Sequence, residues 1–192
     1  MYELRRIGIL GGTFNPIHAG HLVLAEQTRQ RLRLEKVIFV PTYFPPHKEL
    51  NVLAPAQERY HMVAKALETN PFFEVSSLEL ARGGMSYSIE TVKKFRSIYP
   101  RASLYFIIGS DSLEELSTWK NIEKLNKICK FVVVRRPGYA PRRLFPNMQV
   151  MDIEVKNISS TDIRRRIRTG KSIRNLVPEK VRKYILKKRL YR

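Results

Sequence analysis

The chain has 192 residues, of which 43% are hydrophobic, and its formal net charge is +19. This length and hydrophobic content exclude a disordered chain and suffice for one domain with a buried core. The single cysteine, Cys129, excludes an internal disulfide framework and favours a reducing, cytoplasmic setting.

The positive charge is concentrated near the C-terminal end of the sequence. Residues 156–192 contain 14 basic and 2 acidic residues, a net charge of +12. Such a segment attracts polyanions, which include nucleic acids, membrane surfaces and phosphate-rich small molecules. Charge alone does not choose among these partners.

The N-terminal part of the chain predicts a βαβ unit. Arg6–Leu10 is typical of a short buried strand, which the Gly11–Gly12 pair is expected to end. A helical pattern begins at Gly20, and a second apolar strand covers Lys36–Val40. Strand, helix and strand therefore follow one another within about 35 residues, the length of a βαβ unit.

The rest of the chain continues this alternation of helices and short apolar strands. The further predicted elements are helix Pro55–Thr69, strand Phe72–Ser76, helix Ser88–Tyr99, strand Ser103–Ile108, one or two short helices in Ser110–Lys127, strands Phe131–Val134 and Met148–Ile153, and helices Ser160–Arg168 and Pro178–Lys188. The pattern predicts an α/β fold with a doubly wound, Rossmann-like parallel sheet. We expect a single domain over residues 1–192, with a small helical C-terminal part from about residue 156.

Ligands of such sheets bind outside the carboxyl ends of the strands, near the point where the strand order reverses. We therefore expect the loops after Leu10, Val40 and Ile108 to share one crevice. We expect the stretch 7–25, which contains no Asp, Glu, Lys or Arg, to contribute to this crevice. Its adjacent glycines, proline and two histidines exclude a membrane span or signal peptide, so we expect no membrane association.

Residues 11–21, with the sequence GGTFNPIHAGH, carry the strongest functional signal. The two glycines let the backbone approach a ligand closely, and the N-terminus of the following helix attracts anions. His18 and His21 are three residues apart, so both rings face one side if helical geometry already holds there. With the Thr13 hydroxyl they form a cluster of donors suited to phosphate. A metal site is less favoured because HExxH is absent and no third ligand is evident, and purely structural histidines remain the other alternative.

A second anion site is predicted at Ser159–Arg164. Ser159 followed three residues later by Asp162 also approximates a capping box, which is a purely structural interpretation. Both interpretations can hold together, because a capped helix N-terminus still presents its amides to phosphate.

Taken with further motifs, GGTFNPIHAGH resembles the T/HxGH nucleotidyltransferases, and specifically the bacterial nicotinate mononucleotide adenylyltransferases. The further motifs are Pro45–Lys48, Ser86–Ser88, Gly109–Ser112, Thr118–Trp119, Arg135–Gly138 and Ile158–Arg164. The resemblance spans nearly the whole chain. It implies transfer of AMP from ATP to nicotinate mononucleotide, giving deamido-NAD and pyrophosphate in NAD biosynthesis.

The resemblance also implies residue roles. The catalytic residues would be His18, His21, Lys48 and Arg164. ATP would be bound by Gly11, Gly12, Thr13, Phe14, His18, Gly20, His21, Gly109, Ser159, Ser160, Thr161 and Arg164. Nicotinate mononucleotide would be bound by Thr13, Lys48, Tyr87, Ser88, Asp111, Trp119 and Lys120. Mg²⁺ is expected on the ATP phosphates, held largely by substrate and water, without a metal site made by the protein.

Five of these residue assignments have alternatives or depart from the family pattern, and one of them, Lys48, could be an ordinary surface lysine. Trp119 is expected to stack on the pyridine ring, although a lone tryptophan is more often a core residue than part of a ligand site. Asp111, expected on a ribose hydroxyl, could instead cap a helix. The family often has Thr and Tyr at the positions of Ser88 and Lys120, although backbone recognition of the nicotinate carboxylate would survive both changes. We hypothesise that the Lys120 side chain adds charge attraction to that carboxylate.

Alternative functions stay open at this point. A related adenylyltransferase would act on nicotinamide mononucleotide or phosphopantetheine. In a different class, the basic C-terminal segment could bind nucleic acid, although no RNA-recognition motif or zinc finger is present. Such binding would be nonspecific and salt-sensitive, and a thermophilic source would also explain abundant Lys and Arg. Whether the chain forms a homo-oligomer is not decided by the sequence.

Overall fold

A computed structural model of the chain describes residues 5–45, 53–113, 115–135, 148–153 and 158–192. Six strands form one sheet: β1 (Arg6–Gly12), β2 (Lys36–Pro41), β3 (Phe73–Val75), β4 (Ser103–Gly109), β5 (Lys130–Arg135) and β6 (Met148–Asp152). Seven α-helices are described: α1 (Ala19–Leu32), α2 (Ala56–Leu67), α3 (Leu78–Arg82), α4 (Ser88–Ile98), α5 (Ile122–Ile128), α6 (Ser160–Arg168) and α7 (Glu179–Lys187). Two 3-10 turns cover Ser110–Ser112 and Leu116–Thr118.

All strand pairs are parallel, and the strand order is β3-β2-β1-β4-β5-β6. The chain therefore builds outward from β1 to one edge, returns to β4 beside β1, and builds to the other edge. This confirms the predicted Rossmann-like sheet. The order reverses between β1 and β4, which is where a ligand crevice is expected.

Two hydrophobic clusters cover the two faces of the sheet. Alternate strand residues supply both, as Phe39 and Ile107 do on one face and Ile38 and Phe106 on the other. The first face packs against α1, α2, α6 and α7, and the second against α4 and α5. The C-terminal helices thus share the core of the sheet, to which Ile163 contributes with no exposed surface.

The first strand extends further than the sequence predicts. Gly11 pairs with Val40 and Gly12 with Pro41, so the prediction that the glycine pair ends the strand is wrong. The physical reason is that β2 continues alongside and supplies backbone partners, which compensate for the low intrinsic strand preference of glycine. As a result, the two glycines at the end of β1 lie at the crevice.

Helix α3 was not predicted at all. It has only five residues, which is too short for an amphipathic period to be visible in the sequence. The ends of α2, β3 and α7 differ from the predicted ends by one or two residues, as frayed termini commonly do. In the described ranges, no helix has the length and apolar character needed to cross a membrane.

Candidate active site

A cleft of about 870 Å³ opens at the carboxyl ends of the central strands. The segments after β1, β2 and β4 all contribute to its wall, as Thr13, Thr42 and Ser112 show. This confirms that these three loops share one crevice. The cleft lies over the β1–β4 junction, where the strand order reverses.

The loop between β1 and α1 makes a sharp turn at Phe14. Phe14 has φ of +47°, a left-handed conformation that bulky residues rarely adopt, and its side chain is buried. Its ring packs over Gly12, where an added Cβ would lie only 3.0 Å from a ring carbon. A side chain at position 12 would therefore force the Phe14 ring to shift.

The two histidines of this loop form a stacked pair. Their ring centroids lie 3.7 Å apart with an interplanar angle of 28°. His18 occupies the N-cap of α1, and its backbone N–H donates to Nδ1 of His21 at 3.2 Å. Both rings lie on one side and line the cleft, although His18 has extended backbone rather than the helical geometry that the prediction assumed.

The N-terminus of α6 meets the same loop from the other end of the sequence. Ser159 caps the helix, because its Oγ accepts from the Asp162 backbone N–H at 3.1 Å. The Oγ of Ser160 donates to the Pro16 carbonyl at 2.9 Å. The two predicted anion sites are therefore adjacent, and the predicted helix cap is confirmed.

Arg164 supplies a positive charge at the α6 junction, where the N-terminus of α6 meets the loop between β1 and α1. Its guanidinium donates to the Asn15 carbonyl at 2.9 Å and to Oγ1 of Thr161 at 3.2 Å. Partial burial lowers the pKa of Arg164 from its ordinary value, although an arginine remains charged near neutral pH. By contrast, Arg165 and Arg166 turn to Asp162, and their hydrogen bonds lower the pKa of that carboxyl.

Arg59 lies beneath the cleft, and no sequence motif pointed to it. It is 1% exposed, and its guanidinium donates to four backbone carbonyls. The distances are 2.8 Å to Thr13, 2.7 Å to Thr42, 2.9 Å to Tyr43 and 2.9 Å to Ala54. Burial lowers its pKa. One side chain thus joins the loops that follow β1 and β2.

Tyr191 is a second residue that sequence reasoning missed. Its hydroxyl donates to Oδ1 of Asn15 at 2.9 Å, and the same oxygen accepts from the Ala54 backbone N–H at 3.0 Å. Burial raises the pKa of the Tyr191 phenol, so this group remains a donor over the physiological range. Asn15 is thereby held from both sides.

The opposite wall of the cleft is aromatic. Trp119 packs edge-on against Phe106 with ring centroids 6.0 Å apart, and it also lines the cleft. The core and ligand-facing interpretations of Trp119 are therefore compatible. The Nζ of Lys120 lies 4.3 Å from the centroid of the Tyr87 ring, so a cation is held at this wall.

The structure brings most of the predicted site residues together. Those lining the cleft are Gly11, Gly12, Thr13, Phe14, His18, His21, Tyr87, Ser88, Gly109, Trp119, Lys120, Ser159, Ser160, Thr161 and Arg164. Gly20 is buried in α1 and does not line it. Lys48 and the side chain of Asp111 lie outside the described residues.

Comparisons with known proteins identify the family to which this chain belongs. Residues 9–166 match the cytidylyltransferase-like family model. A protein of Desulfitobacterium hafniense (strain Y51), named probable nicotinate-nucleotide adenylyltransferase, is 46% identical over 199 residues, covering 98% of this chain and 96% of the relative. A protein of Thermoanaerobacter sp. (strain X514) with the same name is 46% identical over 200 residues, covering 97% and 94%.

The fold recurs in solved structures. The nicotinic acid mononucleotide adenylyltransferase of Plasmodium falciparum, complexed with NaAD, superposes with a TM-score of 0.81 over 97% of both chains at 20% identity. At that identity the likeness establishes the fold alone, whereas the bacterial relatives establish the family. The chain belongs to the cytidylyltransferase-like family and, within it, to the nicotinate-nucleotide adenylyltransferases.

Proposed function

We propose that this protein transfers AMP from ATP to nicotinate mononucleotide, giving deamido-NAD and pyrophosphate. A phosphate oxygen of the mononucleotide attacks the α-phosphorus of ATP, and the bond from that phosphorus to the oxygen bridging to the β-phosphate breaks. The observation that carries this proposal is the meeting of the stacked His18–His21 pair with the N-terminus of α6 in one cleft.

The chemistry of the reaction matches the donors of the cleft. The attacking phosphate is ionised near neutral pH, so the reaction needs no strong base and no nucleophilic side chain. What it needs is alignment of two anions and stabilisation of the charge that develops on the α-phosphate and the leaving pyrophosphate. Histidines, backbone N–H groups and an arginine supply both.

On the ATP side, His21 would contact the α-phosphate and His18 the neighbouring phosphates. Thr13, at the end of β1, would donate from its hydroxyl. The α6 junction would hold the outer phosphates through Ser160, Thr161 and Arg164. Support for this division comes from the hydrogen bonds that already fix the α6 junction against the β1–α1 loop.

On the mononucleotide side, the pyridine ring would stack on Trp119, because a pyridinium favours an aromatic face. The nicotinate carboxylate would accept from backbone N–H groups near Ser88 and Lys120, and Asp111 would accept from a ribose hydroxyl. Lys48 would provide a further cation to the phosphates. The aromatic character of this wall supports a pyridine nucleotide over phosphopantetheine.

Mg²⁺ would accompany ATP on its β- and γ-phosphates and neutralise charge during transfer. No group of three or more histidine, cysteine or acidic side chains able to hold a metal occurs in the described ranges. A metal carried by the triphosphate and water needs no such group.

The same proposal places the protein in the cytoplasm. Its only cysteine is buried and free, as is common in a reducing setting.

The test is pyrophosphate release by the purified protein with ATP, Mg²⁺ and either nicotinate mononucleotide or its amide. Strong release with the acid form is expected. A preference for the amide would retain the phosphate site but refute the roles of Ser88 and Lys120. Absence of release with either would refute the proposed reaction and lead to other phosphate acceptors.

Nucleic-acid binding remains the second candidate because α6 and α7 are rich in exposed basic residues. Several of these charges are already paired within the protein, as in Arg182 with Glu179 and Lys180 with Glu68. RNA binding is therefore expected to be weak and to fall steeply with salt. Salt-resistant, sequence-selective binding would indicate a nucleic-acid-binding function rather than nonspecific attraction by the basic residues.

A further inference from the structure

We propose that Arg59 is a positioning residue that sets the orientation of His21 through Thr13 and Phe14. This inference rests on the proposed AMP transfer, in which His21 contacts the α-phosphate. Arg59 itself lies beneath the cleft wall, and its guanidinium donates only to backbone carbonyls among the described residues.

The first link is the Thr13 carbonyl, which accepts from Nη1 of Arg59 at 2.8 Å. This carbonyl belongs to the peptide unit that joins Thr13 to Phe14. Phe14 has φ of +47°, so the peptide before it must be held in an orientation that a bulky residue seldom adopts. The hydrogen bond from a rigid, buried guanidinium does this.

The second link is the Phe14 ring. It contacts the His21 ring edge-on, with centroids 5.1 Å apart and planes at 75°. It also packs against Phe39 and over Gly12, so its place leaves little room for adjustment. His21 is thus enclosed between the rings of Phe14 and His18.

The geometry requires an arginine rather than any cation. The planar guanidinium reaches carbonyls from the β1–α1 loop, the end of β2 and the entry to α2 at the same time. A lysine keeps the positive charge, but its compact ammonium cannot span this set of acceptors. Arg59→Lys therefore separates the positioning role from charge.

The chain offers a matched control in Arg96. Its guanidinium donates to the carbonyls of Ala102 at 2.7 Å and Ile128 at 2.8 Å, which precede β4 and β5 at the opposite end of the sheet. Arg96→Lys thus also removes an arginine bridge between backbone segments. It does so far from the cleft.

The experiment compares kcat for AMP transfer and the unfolding temperature of the wild-type protein, Arg59→Lys and Arg96→Lys. Rates are measured at a temperature where each protein is fully folded. We expect both variants to lose some thermal stability, and only Arg59→Lys to lose kcat, by at least about tenfold, since small misplacements of catalytic groups are costly. Wild-type kcat in folded Arg59→Lys would overturn the proposal.

A double-mutant cycle with Phe14→Leu tests the route. Phe14→Leu removes the ring contact with His21 and leaves the carbonyl partners of Arg59 in place. If Arg59 acts through Phe14, the double variant falls no more than about threefold below the lower single variant, whereas independent effects would multiply. Multiplied losses would overturn the proposal. Wild-type kcat in Phe14→Leu alone would also overturn it, and this measurement remains decisive if Arg59→Lys does not fold.

The proposed reaction and the role of Arg59 fail in distinguishable ways. If wild-type protein and Arg96→Lys show no AMP transfer to any acceptor tried, the proposed reaction fails. Calorimetric binding of pyrophosphate then replaces kcat as the readout for Arg59. At least tenfold weaker binding in Arg59→Lys, with unchanged binding in Arg96→Lys, supports the positioning role, and equal binding in all three proteins overturns it.

Discussion

His18 and His21 stack with their ring centroids 3.7 Å apart, and the backbone N–H of His18 donates to Nδ1 of His21. Under the proposed function, the second histidine serves two purposes. Its Nδ1 accepts the hydrogen bond at the start of α1, and its ring contacts the α-phosphate. A substitution that retains the hydrogen-bond acceptor therefore separates the structural role from the catalytic one.

We expect His21→Asn to lower kcat for AMP transfer by about 10²–10³-fold, the usual loss when one preorganised donor is removed. The asparagine Oδ1 can replace Nδ1 as acceptor for the His18 N–H, so the unfolding temperature should change little. His61→Asn is the matched control, because His61 contacts Gln57 and Tyr184 away from the cleft. Equal rates for wild type and His21→Asn would contradict the assigned role.

Gly12→Ala should reduce AMP transfer by more than tenfold and lower stability. The added Cβ would lie 3.0 to 3.3 Å from three atoms of the Phe14 ring, so the ring must shift and His21 with it. Steady-state kinetics and thermal unfolding measure the two effects. Gly109→Ala is the folding control, since its Cβ would meet open space, and its unfolding temperature should match that of wild type.

Lys120→Ala should weaken the preference for the acid over the amide mononucleotide by about two- to fivefold. The effect is modest because an exposed charge interaction contributes little in water. The measurement is the ratio of kcat/KM for the two substrates. Lys124→Ala, an exposed lysine of α5 that does not line the cleft, should leave the ratio unchanged. An unchanged ratio in Lys120→Ala would limit recognition to the backbone.

Cys129 should be inert to thiol reagents at pH 8 in the folded protein. Burial raises the pKa of its thiol to about 12, from an ordinary value near 9. The thiol ionises at lower pH in the unfolded protein than in the folded protein. Its full contribution to the stability of the folded state is therefore present below about pH 9 and is lost as the pH rises towards 12. Rapid labelling at pH 8 without unfolding would refute burial of this thiol.

The same group makes a prediction for alkaline stability. Between pH 9 and 10 the free energy of unfolding should fall more steeply in wild type than in Cys129→Ala, by up to about 1.4 kcal/mol per pH unit. Above pH 10, tyrosines add to the slope, because burial and the neighbouring Glu58 raise the pKa of Tyr184 to about 12. Denaturant titrations at several pH values give both slopes. Parallel slopes in the two proteins would contradict the prediction.

The fold class and the position of the cleft could be predicted from the sequence. Alternating apolar strands and helices are local patterns, so they predict a parallel sheet without knowledge of its packing. In a parallel sheet the carboxyl ends of the strands meet at one edge, which is why Gly11, Thr42 and Gly109 could be expected in one crevice. The rings of His18 and His21 also lie on one side, but the extended backbone of His18 shows that helical spacing is not the reason.

The hydrogen bonds that hold this cleft in shape could not be predicted from the sequence. Arg59 reaches a carbonyl 46 positions away at Thr13, and Tyr191 reaches Asn15 across 176 positions. The backbone carbonyls that accept from Arg59 leave no pattern in side-chain types. The side-chain partner of Tyr191 lies too far away in the sequence to form a recognisable motif with it. Which loop a buried donor meets depends on how the helices pack on the sheet, and that is a property of the whole fold.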